Sequence, residues 1–227
     1  MSVFCLDPGH GGTDPGTVNG KRKEKDDVLK LALKVKPLLE EQGHTVVMTR
    51  STDKDITIAK RCSLANKKKC DYFLSIHRNS GGDDATGLEA WVHSQAYEKT
   101  VNQAEEILSR CCQVYGEDRG VKKGAVSYTD YGVNTGTTMP SALLEMLFIS
   151  NDEDNTAFNK NMDAYALAIA KGLVAAVDGK WKETTKPEET GGLYRVQVGA
   201  FSVKANAEAL VKELKGKGYQ AFVAEGE

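Results

Sequence analysis

Two histidines and one glutamate occupy positions from which they can act together. His10 follows the run SVFCLDPG, and His77 follows YFLSI. Glu145 is the single carboxylate inside the apolar run SALLEMLF. If those runs are strands of an open α/β sheet, all three side chains reach the crevice beyond the carboxyl ends of the strands, where such sheets bind ligands. A carboxylate is costly to bury unless it is paired, hydrogen-bonded or protonated, and SALLEMLF offers it no basic neighbour. Two imidazoles supply two of the three protein ligands of a catalytic zinc ion, which keeps its fourth position for water. The third ligand comes from a polar segment near the first Gly-rich loop. Glu24 in KRKEKDD is the natural nominee, and Asp7, Asp14 and Glu89 are rivals that spacing alone does not remove. Glu145 is then left as general base, taking a proton from the attacking water and handing it to a leaving amine. Zinc also polarises the carbonyl under attack, so the chemistry points to amide hydrolysis.

Each of these residues has a duller reading when taken alone. His10 can serve a turn, His77 a strand end, and Glu24 a solvated run of charges. His44 and His93 read as structural. The glycines between Gly9 and Gly20 do not make a phosphate cradle, because neither G-K-[ST] nor G-x-G-x-x-G is present. The lysines of NKKKC read as a solvated helix end.

The elements that must position these groups alternate in type. Residues 2–6 predict a strand, closed by Asp7-Pro8-Gly9. A helix is predicted from Asp26, with Val28, Leu31, Ala32, Val35, Leu38 and Leu39 at helical spacing and Gly43 beyond its end. Thr45–Thr49, Tyr72–Ile76, Leu88–Val92 and Ala142–Phe148 predict strands. Ile58–Lys68, Tyr97–Tyr115 and Glu153–Val177 predict helices. The expected fold class is α/β, a mostly parallel twisted sheet with helices on both faces, plus a small C-terminal β-α-β unit. Domain bounds follow composition: a catalytic domain at 1–178, a linker at 179–192 (GKWKETTKPEETGG) and a small unit at 193–227. In that unit YRVQVGAF and YQAFV predict strands around a helix at 204–215. Units this short rarely stand alone, so it is expected to pair.

Composition excludes several classes. The 227 residues are 40% hydrophobic and 27% charged, with 30 Lys+Arg against 32 Asp+Glu and a net charge of -2. That balance argues against non-specific nucleic-acid binding, which needs a basic face. No apolar stretch approaches the roughly 20 residues of a membrane span, so membrane insertion is not expected. MSVFCLDP meets a charge and a proline at once, which is no signal-peptide centre, and the expectation is a protein made in the cytoplasm. Five cysteines without C-x-x-C spacing read as reduced small hydrophobes.

DPGHGGTDPG, the KEKD segment, YFLSIHRNS and ALLEMLFISN, in that order over residues 1–177, resemble the zinc-dependent N-acetylmuramoyl-L-alanine amidases of the amidase-3 type. The resemblance implies that His10, Glu24 and His77 bind Zn2+ and that Glu145 is the catalytic acid/base. It also selects Glu24 over its rivals. The implied reaction is hydrolysis of the amide between the lactyl group of N-acetylmuramic acid and L-alanine of the stem peptide. Arg78 departs from the family, many of whose members carry a small or apolar residue there. Arg78 and Asn79 are expected to bind substrate, and the loop Tyr128–Met139 to line the groove. The tail LYRVQVGAFSVKANAEALVKELKGKGYQAFV is similar to one repeat of a SPOR domain. It implies bacterial peptidoglycan as partner and a homodimer through the C-terminal unit. Tailed amidases of this kind look like sporulation lysis enzymes or phage endolysins, which reach the wall by lysis or a non-classical route. The alternatives are a zinc peptidase cutting within the stem peptide and an inactive wall-binding protein.

Overall fold

The computed structural model describes residues 1–82, 84–119, 125–183 and 198–224. Along the chain the elements run β1 (Val3–Pro8), β2 (Val18–Asn19), β3 (Arg22–Lys23), α1 (Glu24–Glu41), β4 (Thr45–Met48), α2 (Ile58–Lys68), β5 (Tyr72–Asn79), β6 (Leu88–Val92) and α3 (Glu98–Arg119). There follow β7 (Ala125–Tyr128), α4 (Gly132–Gly136), β8 (Ser141–Phe148), α5 (Asp152–Lys160), α6 (Met162–Ala176) and α7 (Lys204–Gly216). Two compact units result, Met1–Lys182 and Glu183–Glu227.

The central sheet has the order β4-β1-β5-β8-β6-β7. Its pairs are parallel except β6 against β8, so the expected mostly parallel sheet is what forms. Its strands read as continuous apolar runs because both faces are covered. Phe4, Leu6, Tyr72, Leu74, Ile76 and Leu144 point into the larger core, shared with α1, α3 and α6. Cys5, Phe73 and Leu143 point the other way, against Ala65 of α2 and Val133 of α4. All five cysteines are buried, and none forms a disulfide. No helix among the described residues is long and apolar enough to cross a membrane.

Four departures from the sequence reading have physical causes. α1 begins at Glu24, before its apolar periodicity, because its first turn carries Glu24, Asp26 and Asp27 at the positive end of the helix dipole. β5 runs on through the polar residues His77, Arg78 and Asn79, because β8 supplies a pairing edge at that level. The predicted helix 153–177 is two helices, broken at Asn161 (φ -106°, ψ 15°), whose N–H closes on the Ala157 carbonyl. YQAFV forms no strand. It has no partner strand among the described residues, and an unpaired strand leaves its main-chain donors unsatisfied. Of YRVQVGAF, residues 194–197 lie outside the described residues, as do 184–192 of the predicted linker. Residues 181 and 182 stay with the first unit. Trp181 packs on its core, and Lys182 exchanges main-chain hydrogen bonds of 2.8 and 2.9 Å with the Gln42 side chain.

Candidate functional site

The parallel pairing of β1 with β5 and of β5 with β8 brings three distant sequence segments to one sheet edge. His10 leaves β1 just past Pro8, with its main chain in the left-handed region at φ 57°. His77 lies in β5 directly opposite Glu145 of β8. Glu24 is the first residue of α1 and is buried. One nitrogen of each imidazole and one carboxylate oxygen of Glu24 lie within 4.8 Å of one another. Glu24 Oε1 is 3.1 Å from His10 Nε2 and 2.9 Å from His77 Nδ1. The two rings meet edge to face with centroids 4.8 Å apart.

Neighbouring main chain and side chains hold each ligand in place. Glu24 accepts from the Arg78 N–H on Oε1 at 3.0 Å and from the Thr17 N–H on Oε2 at 2.9 Å. His10 Nδ1 is 2.8 Å from Asp14 Oδ2, the carboxylate partner that metal-bound histidines usually have. Gly9 and Gly16 are required by close approach. A Cβ at Gly9 would overlap the His77 ring, and one at Gly16 (φ 64°) would stand 2.6 Å from both Glu24 Oε2 and His10 Cδ2. Sequence reasoning missed these supports, since in a loop nothing in the spacing marks which glycine meets a ring.

The donor set fits a metal ion. With its Nδ1–H given to Asp14, neutral His10 turns the lone pair of Nε2 toward an anionic Glu24 oxygen. Lone pairs converging at about 3 Å need a cation among them, a proton or a metal. Two imidazoles and one carboxylate are the ligand types of a catalytic zinc site. The electrostatics agree. Burial opposes ionisation of Glu24, but the two imidazoles outweigh it and hold the carboxyl far below the usual range. Burial likewise opposes charge on His10, and Glu24 and Asp14 overcome it, so its pKa is raised.

Glu145 stands one strand further along. Burial pushes its carboxyl up to about 7, against His77 and with Glu24 and Glu89 adding to the push. Its Oε2 is buried without a hydrogen-bond partner. A buried oxygen left unsatisfied is costly in an apolar strand, and a site that uses that oxygen accounts for it.

The remaining candidates separate. Asp7 is committed to Arg61 at 2.7 Å and accepts from Ser75 and Thr49. Asp14 supports His10. Glu89 pairs across the sheet with Glu145 and accepts from Asn79 Nδ2 at 3.2 Å. His44 packs on Phe4 and accepts from the Ser2 N–H, and His93 accepts from the Gln95 N–H. Arg78, expected as a substrate contact, is not brought to the set of converging ligand atoms. Its side chain is wholly buried on the far side of the strand from His77, with Nη1 2.6 Å from Asp27 and Nη2 2.8 Å from Asn155. Strand alternation explains this, because neighbours of an edge-facing histidine point into the core. The loop 128–139 contains α4 and places Tyr131 against Trp91, with centroids 5.7 Å apart.

Residues 4–175 match the sequence profile of the amidase-3 family, N-acetylmuramoyl-L-alanine amidases. The chain belongs to this family. A SPOR-domain profile matches residues 167–226. The sporulation-specific N-acetylmuramoyl-L-alanine amidase of Bacillus subtilis (strain 168) is 33% identical over 226 residues, which cover 98% of this chain and 84% of that protein. The endolysin of Bacillus phage SPP1 is 34% identical over 175 residues, 75% of this chain and 62% of that one. Among solved structures, the catalytic domain of CwlV from Bacillus (Paenibacillus) polymyxa var. colistinus superposes with a TM-score of 0.72 at 31% identity, covering 79% of this chain and all of that one. Membership makes the chain a peptidoglycan hydrolase of the amidase-3 type.

Proposed function

We propose that the chain hydrolyses the amide between the lactyl group of N-acetylmuramic acid and L-alanine of the stem peptide, with zinc held by His10, Glu24 and His77. The observation that supports this is the convergence of those three ligand atoms within 4.8 Å beside a glutamate with an orphaned oxygen. Zinc at such a site supplies a Lewis acid that activates water and polarises a carbonyl. Asp14 orients His10, while the Thr17 and Arg78 N–H groups orient Glu24. Glu145 Oε2 takes the proton of the attacking water and returns it to the amide nitrogen as the C–N bond breaks. The products are a lactyl carboxylate and a peptide with a free L-alanine amine.

The test is a digest of purified sacculi with identification of new ends. Expected are free N-terminal L-alanine without new reducing sugar ends, loss of that L-alanine on chelation, and its recovery with Zn2+. Free termini at another stem residue would make the chain a peptidase. No new ends with protein retained on the sacculi would make it a binding protein.

We further infer that the second unit pairs with a second copy of itself and carries the chain onto peptidoglycan. α7 buries none of its residues, and Phe201, Tyr219 and Phe222 are exposed beside it. Apolar surface of this kind is stabilised by being covered. Light scattering at micromolar concentration is expected to return twice the 24.7 kDa chain mass. A monomer mass overturns the pairing.

A further inference from the structure

Two arginines outside the ligand set converge on the main chain that carries His10. Arg50, just after β4, and Arg61, in α2, are both nearly inaccessible, at 3% and 5% exposure. Arg61 Nη2 donates to the His10 carbonyl at 2.6 Å, and Nη1 donates to the Pro8 carbonyl at 2.8 Å and to Asp7 at 2.7 Å. Arg50 Nε donates to the Pro8 carbonyl at 3.0 Å, and Nη2 donates to the Gly9 carbonyl at 2.7 Å. Three consecutive carbonyls are therefore gathered by two guanidiniums. Arg50 Nη2 also donates to the Lys25 carbonyl at 2.7 Å, one residue past Glu24. A single buried cation thus ties the His10 segment to the start of the helix that carries the carboxylate ligand.

This arrangement is expensive and specific. Arg50 has no carboxylate within ion-pair distance among the described residues, so main-chain carbonyls are its partners. Burying such a charge costs several kcal/mol unless its donors are well satisfied. His10 itself sits at φ 57°, a region that residues with a Cβ occupy only when the surroundings hold them there. The planar fork of arginine suits this work, because it fixes several acceptors at set angles where an ammonium is a point charge.

We propose that Arg50 and Arg61 are positioning residues for the metal site, holding the Pro8–His10 main chain in its left-handed turn and at its distance from Lys25, so that His10 and Glu24 meet the ion already oriented. The proposal rests on the reading that His10, Glu24 and His77 hold the metal.

The probe is Zn2+, titrated in competition with a chromophoric chelator into the whole chain well below its melting temperature. Arg50→Lys and Arg61→Lys are each expected to weaken Zn2+ binding 10- to 100-fold, about the usual effect of removing an outer support of a metal ligand. Leu173→Ala, a core change in α6 remote from the site, is expected to lower the melting temperature and leave Zn2+ affinity within about twofold. In a His10→Ala background the penalty of Arg61→Lys is expected to fall below about threefold, because the ligand it positions is gone. Unchanged affinity in both lysine variants, or an equal penalty with and without His10, overturns the proposal. So does failure of both variants to fold, which would make the arginines simple fold determinants. If the native chain itself takes up no Zn2+, the metal reading fails instead, and the two failures are told apart by that first titration.

Discussion

Glu145→Gln is expected to remove the release of N-terminal L-alanine almost completely while leaving a folded protein that binds Zn2+ as the native chain does. The substitution keeps the shape of the side chain and removes only its ability to carry a proton. Proton transfer by a placed side chain contributes roughly 10²–10⁴ in rate, about 3–5 kcal/mol of barrier, and the loss is expected in kcat. Glu145 stands opposite His77 on the neighbouring strand and outside the set of converging ligand atoms, so affinity for the metal is expected to change by less than about twofold. Stability is expected to hold, because the amide is isosteric and removes the charge whose ionisation burial opposes. Retention of more than a tenth of the native kcat would remove Glu145 from proton transfer. A fall in Zn2+ affinity matching the fall in rate would make it a ligand.

Much of this site is legible in the sequence, for reasons that differ by residue. Glu145 stands out because a lone carboxylate in SALLEMLF contradicts its surroundings, and such contradictions mark function more often than packing. His10 and His77 are found by their place after strands, since strand ends of a parallel sheet converge in space whatever their separation in sequence. Glu24 is different. Nothing in KRKEKDD separates it from its neighbours, because the helix starts in a polar turn and its burial comes from the partners of other segments. The resemblance to a family picked it out, and its burial beneath two imidazoles is a tertiary fact. The cradle around Pro8 and His10 is still further from view. Its donors lie 41 to 53 residues from their acceptors, and an arginine in a strand–loop or helix sequence reads as surface charge. The placement of Arg78 is hidden in the same way. A charge beside a ligand looks like a substrate contact until the pleat turns it inward.

Arg78→Met therefore separates fold from catalysis. The guanidinium links four elements: β5, Asp27 of α1, the Leu147 carbonyl of β8 and Asn155 of α5, with Phe158 4.1 Å beneath its carbon. Burial lowers its pKa to about 10, with Asp27 opposing, so it is cationic at neutral pH. Removing one partner of a buried pair costs about 3–5 kcal/mol because the other charge stays behind. Asp27 keeps Arg22 at 2.5 Å, so the loss is expected near the lower end, about 3 kcal/mol. In a chain of this size that is roughly 6–12 °C of melting temperature. Adding Asp27→Asn is expected to recover part of the loss, since it removes the stranded charge; a purely additive double variant would deny the charge mechanism. Below the melting transition, KM for wall fragments is expected to stay within about twofold, because the side chain is buried away from solvent and the main-chain N–H that supports Glu24 is retained. A large rise in KM without loss of stability would return Arg78 to the substrate.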